Sequence, residues 1–192
     1  MGTTQPIRDK EGLKKFVDYY KVENPKPRDY ALVVFGLHTA LRISDILNLQ
    51  WREVYDFEKQ CFLDHIFIQE RKTGKQNVIP LNQHVEEALA AYKMQQDSRA
   101  EDYIFSKRTN HKAPIHRTQA YRIVRQAAQE TLQEPNISCH SLRKTFGYHA
   151  WKQGTPPALL MDIYNHSSYQ VTKRYLGISQ DERDAVYLKI DL

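Results

Sequence analysis

Apolar residues recur at helical spacing along most of this chain. Leu13, Phe16, Val17 and Tyr20 follow the i, i+3, i+4, i+7 rule, which predicts an amphipathic helix over roughly residues 9–21. A nearly all-apolar helix is predicted from about Arg28 to Thr39, behind a Pro25-Lys26-Pro27 opening that suits a helix start. A third covers Ile43 to Leu49. Val85, Ala88, Leu89 and Tyr92 repeat the spacing after Asn82, a good N-cap, and give a helix over about 83–97. Ala120, Ile123, Val124 and Ala127 repeat it again. Further helices are predicted over about 140–153, 156–165 and 168–176, the first closed by Gly154. The terminal DERDAVYLKIDL reads as a short amphipathic helix with Ala185, Val186 and Ile190 on its apolar side. Strand character is confined to Cys61–Leu63, His65–Glu70 and Gln76–Leu81, the last two joined by the turn Arg71-Lys72-Thr73-Gly74-Lys75. The expected class is therefore α+β, mainly α-helical, with a small antiparallel three-stranded sheet.

Composition narrows the picture. A chain of 192 residues fits one ordinary domain, two small lobes being the other arrangement, and 41% hydrophobic with 27% charged residues suits a soluble globular protein. The longest apolar run, near Tyr30–Leu37, is far too short to span a bilayer, and no signal-peptide pattern opens the chain. Two cysteines, Cys61 and Cys139, without a CxxC pair, are expected to be reduced thiols in a cytoplasmic protein. No HExxH, GxxxxGK[ST] or GxGxxG pattern is present, so neither a metal nor a nucleotide cofactor is expected. The net charge of +5 is modest, but no Asp or Glu occurs from Ser106 through Gln129, where Lys107, Arg108, Lys112, Arg117, Arg122 and Arg125 all fall. A field of one sign suits a polyanion such as a DNA backbone, although a solvated basic face would look the same.

The groups able to do chemistry lie far apart in sequence. Arg42 stands in ALRISDIL, Lys72 on the hairpin, His140 and Arg143 in HSLR, His166 in NHSS, and Tyr175 nine residues further on. ALRISDIL, KTGKQNVIPL, HSLRKTFGYHA and NHSSYQVTKRYLG, in that order, resemble the motifs of the tyrosine recombinase (phage integrase) family over about residues 10–180. The resemblance implies that Arg42 and Arg143 hold a scissile DNA phosphate, that Lys72 and His140 transfer protons, that His166 also touches the phosphate, and that Tyr175 is the nucleophile. It implies a supporting role behind Arg42 for Asp45. The chemistry agrees: two guanidiniums suit the charge that develops on non-bridging oxygens, and a phenol titrating near ~10 needs cationic surroundings or a base to attack at neutral pH. A phosphotyrosine link conserves the phosphodiester energy, so strand exchange needs neither ATP nor metal.

Each residue also has a structural reading. Arg42 could cap carbonyls or pair with Asp45, and Lys75 competes with Lys72, which the resemblance favours because the family's lysine is the one just before Thr-Gly. His140 and His166 could be structural histidines, as His149 is expected to be. Tyr164 is expected in the core, Tyr169 partly exposed, and Tyr187 in the amphipathic tail. Asn165 stands where most relatives have glycine, and asparagine tolerates the left-handed turn. The expected activity is site-specific DNA recombination. A catalytically silent DNA-binding module and a relaxing type IB topoisomerase are the other readings. Expected partners are double-stranded DNA and, on DNA, three further copies in a homotetramer, with a monomer when free. Residues 1–192 are expected to be one catalytic domain without the family's N-terminal core-binding domain, and such a chain should bind DNA weakly and with steep salt dependence. The C-terminal helix could dock on a neighbouring copy or on its own core.

Overall fold

A computed structural model describes residues 4–71 and 74–190 of the chain. The expected helices are present with adjusted ends. Asp9 caps α1 (Lys10–Asp18) by accepting from the Gly12 amide, and the helix then widens into a π turn over Tyr19–Glu23. That wider turn buries both Tyr19 and Tyr20, and the Tyr20 hydroxyl donates to the Ile123 carbonyl at 2.9 Å. Helix α2 (Pro27–Thr39) is almost wholly buried, as its run of apolar residues requires. Its Gly36 lies against α6 (Cys139–Lys152), where an added Cβ would sit 2.7 Å from Leu142 Cδ1. Ala40 ends α2 in the left-handed conformation (φ 54), and the chain turns directly into Arg42, the extended N-cap of the single-turn α3 (Ile43–Ile46).

The sheet differs from the expected three strands. Among the described residues there are three separate antiparallel pairs: β1 (Tyr55–Asp56) with β2 (Cys61–Phe62), β3 (His65–Gln69) with β4 (Gln76–Pro80), and β5 (Ser106–Lys107) with β6 (Asn110–Pro114). Backbone bonds explain the split. The Leu63 amide closes the first hairpin on Val54, whereas the Leu81 amide closes the second on Asp64, so the chain turns between β2 and β3 without pairing them. The β5–β6 hairpin had no signal of its own in an acid-free basic stretch. Along β3 and β4 the alternation is clear: Ile66 is fully buried, while the cross-strand partners Phe67 and Val78 both face outward.

The remaining helices are α4 (Gln83–Lys93), α5 (Arg117–Thr131), α7 (Pro157–Tyr164), α8 (Tyr169–Leu176) and α9 (Ser179–Lys189). Their cores form two clusters. The larger gathers α1, α2, α4, α5 and the inner face of β3 around Phe16, Leu32, Phe35, Trp51 and Leu89. The smaller consists of Ala40, Tyr148, Leu160, Tyr164, Leu176 and Ile178, and it carries α7 and α8. Helix α6 contributes Leu142 to the first and Tyr148 to the second, and so joins them. An N-terminal strap reinforces the joint: the Ile7 amide donates to Thr145 Oγ1 (2.9 Å), and Arg8 donates to the Gly177 carbonyl (2.7 Å) and pairs with Asp181 (2.9 Å). No helix among the described residues is long and apolar enough to cross a membrane.

Candidate active site

The fold brings five of the six expected catalytic residues together where α3, α6, α7 and α8 meet. Arg42 arrives from the left-handed turn after α2. His140 and Arg143 lie one turn apart at the start of α6, whose N-cap Ser138 makes a reciprocal capping box with Ser141. His166 follows Asn165, which ends α7 in the left-handed conformation (φ 53), the tolerance expected of asparagine. Tyr175 lies on α8, started by the Ser168 cap. Lys72 lies outside the described residues. Lys75, its competitor, binds Asp162 of α7 at 2.7 Å.

The Tyr175 ring stands edge-on to both imidazoles, with centroids 5.2 Å from His140 and 5.1 Å from His166. Its hydroxyl is buried without a hydrogen-bond partner, and so is Nη1 of Arg143. Arg143 itself is only 3% exposed. Two polar atoms buried in one place without a hydrogen bond are costly unless something else completes them, even though Glu70 lies 3.6 Å from the guanidinium nitrogen. Burial pushes the Tyr175 phenol up to about 12, and the charges of Arg143 and Arg42 oppose that rise. Burial, then the same two guanidiniums, hold His166 below its ordinary value, so its imidazole is neutral at pH 7. Its Nδ1 faces Thr172 Oγ1 at 3.1 Å, which fixes the ring.

Tyr164 proves to be more than filling. Fully buried as expected, it donates its hydroxyl to the Arg143 carbonyl at 2.7 Å, lies under the Arg143 guanidinium at 4.9 Å, and stacks on His166 at 5.5 Å. Gly147 admits it, since an added Cβ would lie 2.6 Å from Leu176 Cδ2 and closer still to the Tyr164 hydroxyl. His149 is structural, its Nε2 meeting the Ile7 carbonyl at 3.0 Å. Tyr169, half-buried, donates to Glu182 at 2.6 Å and so ties α8 to α9.

The acidic partner of Arg42 was missed in the sequence. Asp45 does not pair with it; Asp45 is buried, accepts from the Arg71 amide at 3.2 Å, and holds the base of the β3–β4 hairpin. Arg42 instead pairs with Glu70, a carboxylate 2% exposed whose other oxygen lies 3.6 Å from Arg143 Nη1. Breaking an ion pair at that depth costs about 3–5 kcal/mol. No local sequence signal marks this carboxylate as the one that turns inward.

The six basic residues separate. Arg117 lines the same cleft as Arg42, His140 and Arg143, a hollow of about 1110 Å³ that also takes in Arg71 and Tyr121. Lys107, Arg108 and Lys112 lie on the β5–β6 hairpin, and Arg108 and Lys112 line a second hollow, where Lys112 pairs with Asp102 at 3.2 Å. Arg122 is exposed on α5. Arg125 donates to the carbonyls of Glu134 and Pro135, both at 2.9 Å. Among the described residues no three His, Cys, Asp or Glu side chains gather where they could hold a metal ion.

Known proteins share this fold. The chain matches the phage integrase family over residues 8–182. It is 40% identical over 187 residues to the probable integrase/recombinase YoeC of Bacillus subtilis (strain 168), with 97% of each chain covered. The structure is similar to that of XerA recombinase, with a TM-score of 0.75 and 17% identity, over 99% of this chain and 66% of that one. It is also similar to XerH site-specific recombinase bound to palindromic difH substrate in a post-cleavage complex, with a TM-score of 0.73 and 17% identity, over 96% of this chain and 53% of that one. At these identities the structural likeness concerns the fold, that of a tyrosine recombinase catalytic domain.

Proposed function

Because the chain belongs to the phage integrase family of tyrosine recombinases, we propose that it recombines DNA at specific sites through a covalent 3′-phosphotyrosine intermediate. The observation that carries this reading is the burial of Tyr175 Oη and Arg143 Nη1, neither within hydrogen-bond geometry of a partner, between two imidazoles and a second guanidinium. Arg143 and Arg42 receive the non-bridging oxygens of a scissile phosphate, and His166 donates to one of them. Tyr175 Oη attacks phosphorus in line as its proton passes to His140. The Tyr–O–P bond forms, the bond from phosphorus to the 5′ oxygen breaks, and that oxygen leaves with a proton from Lys72. The reverse sequence, with a new 5′ hydroxyl as attacker, reseals the strand. Because burial raises the phenol, Tyr175 attacks as its proton passes to His140 and no free phenolate forms beforehand.

Double-stranded DNA is thus the substrate, lying over the cleft lined by Arg42, Arg71, Arg117 and Tyr121. Residues 1–192 act as one catalytic domain, and four copies assemble on DNA. Helix α9, which buries no residue and leaves Tyr187 79% and Leu188 86% exposed, supports that assembly. A nicked suicide substrate carrying the chain's core site should trap a covalent adduct with the wild-type protein and none with Tyr175→Phe. An adduct that persists in that variant refutes the nucleophile.

A further inference from the structure

Glu70 has no part in the steps above, yet it occupies the centre of the site. It closes the base of the β3–β4 hairpin, its amide donating to the Lys75 carbonyl (2.9 Å) and its carbonyl accepting from Gly74 (2.8 Å). Its side chain turns inward and is 2% exposed. One carboxylate oxygen binds Nη1 of Arg42, and the other lies 3.6 Å from Nη1 of Arg143. A single carboxylate therefore bridges the two guanidiniums that come from α6 and from the turn after α2.

A phosphodiester resembles that carboxylate in what it offers a guanidinium fork: one negative charge spread over two oxygens. Two neighbouring guanidiniums repel each other, and at this depth they need an anion between them. We propose that Glu70 is a positioning residue that holds Arg42 and Arg143 facing one another before substrate arrives, and that it is an internal rival of the phosphate they bind. The asymmetry of its contacts fits both parts. Arg42 is held in a direct ion pair, while Arg143 Nη1, beyond hydrogen-bond distance, keeps its donor for an incoming oxygen. When phosphate enters, Arg42 divides its donors between two anions. The two guanidiniums are then balanced by one carboxylate and one phosphate, apart from the charge of Lys72. Without Glu70 the clamp would carry a second uncompensated positive charge, binding anions tightly but indiscriminately.

The inference rests on the recombinase reading only for the identity of the arriving anion, and the test needs neither DNA nor Tyr175. The full chain is melted against rising inorganic phosphate at constant ionic strength, with chloride as the matched control. Glu70→Gln removes the rival charge at constant size, so its half-saturating phosphate concentration should fall about tenfold below that of the wild type. Glu70→Asp, which keeps the charge but draws it back by one methylene, should fall in between, and it serves alone if Glu70→Gln does not fold. Adding Arg42→Gln should abolish the difference. In the suicide-substrate assay Glu70→Gln should form adduct about tenfold more slowly while binding DNA at least as tightly. A residue that merely stabilised the fold would lower the melting temperature without changing its phosphate dependence. Equal phosphate midpoints in the wild type and both variants overturn the inference, whatever the fate of the adduct assay. A shifted midpoint without any adduct in the wild type would uphold it and refute the phosphotyrosine mechanism.

Discussion

His166 links local charge to the stability of the whole protein. Burial and the charges of Arg143 and Arg42 hold its folded-state pKa below the usual value, whereas unfolding releases it to about 6.5. Between those two values the unfolded chain binds the extra proton, so stability is complete above about pH 6.5 and falls as the pH drops below it. Thermal melts from pH 7.5 to 5.5 should therefore lose less in His166→Asn than in the wild type; parallel losses would refute the linkage. His38, lowered by burial and by His84, contributes in the same direction and serves as an internal control. At this scale the sequence was legible wherever a motif fixed the residue: Arg42, His140, Arg143, His166 and Tyr175 converge as their order implied. Glu70 was not legible. Nothing local distinguishes an inward carboxylate at a hairpin base from an outward one, and only the fold brings it to Arg42, 28 positions away in sequence.

Among the elements, α8 depends on a segment remote from it in sequence. Arg8 caps the C-terminal end of this helix at the Gly177 carbonyl, 169 residues away, and pairs with Asp181 at the start of α9. Both contacts are partly solvated, so Arg8→Ala should lower stability by about 1 kcal/mol in a urea titration. The same variant should slow adduct formation more than it weakens DNA binding, because the helix that shifts is the one bearing Tyr175; loss of binding alone would contradict this. Helical periodicity placed the elements well because each long helix has one apolar face and a recognisable cap, such as Asn82 for α4. Strand pairing was less legible. Cys61–Phe62 has the composition of a third strand, but its register is set by Asp56, whose side chain accepts from the amides of Glu58 and Lys59 and folds β2 back on β1. A tight turn of that kind outweighs strand propensity.

For the molecule as a whole, the division of the core is the decisive feature. Tyr175 packs against the smaller cluster, and the larger one holds α2 and β3 behind Arg42 and Glu70. Hydrogen exchange should show amides of α7 and α8 opening at lower free energy than those of α2, and uniform protection across all three would contradict the division. The sequence could not disclose the split, since Tyr164, Leu176 and Leu142 look alike as apolar helical positions. The split also shapes what inheritance can do to this protein. On the proposed function, a substitution at Leu160, Leu176 or Ile178 should cost strand joining before DNA binding, because it loosens the cluster behind Tyr175 and spares the one behind Arg42 and Glu70. A chain altered in that way would still occupy sites that intact copies need, so its effect would be dominant.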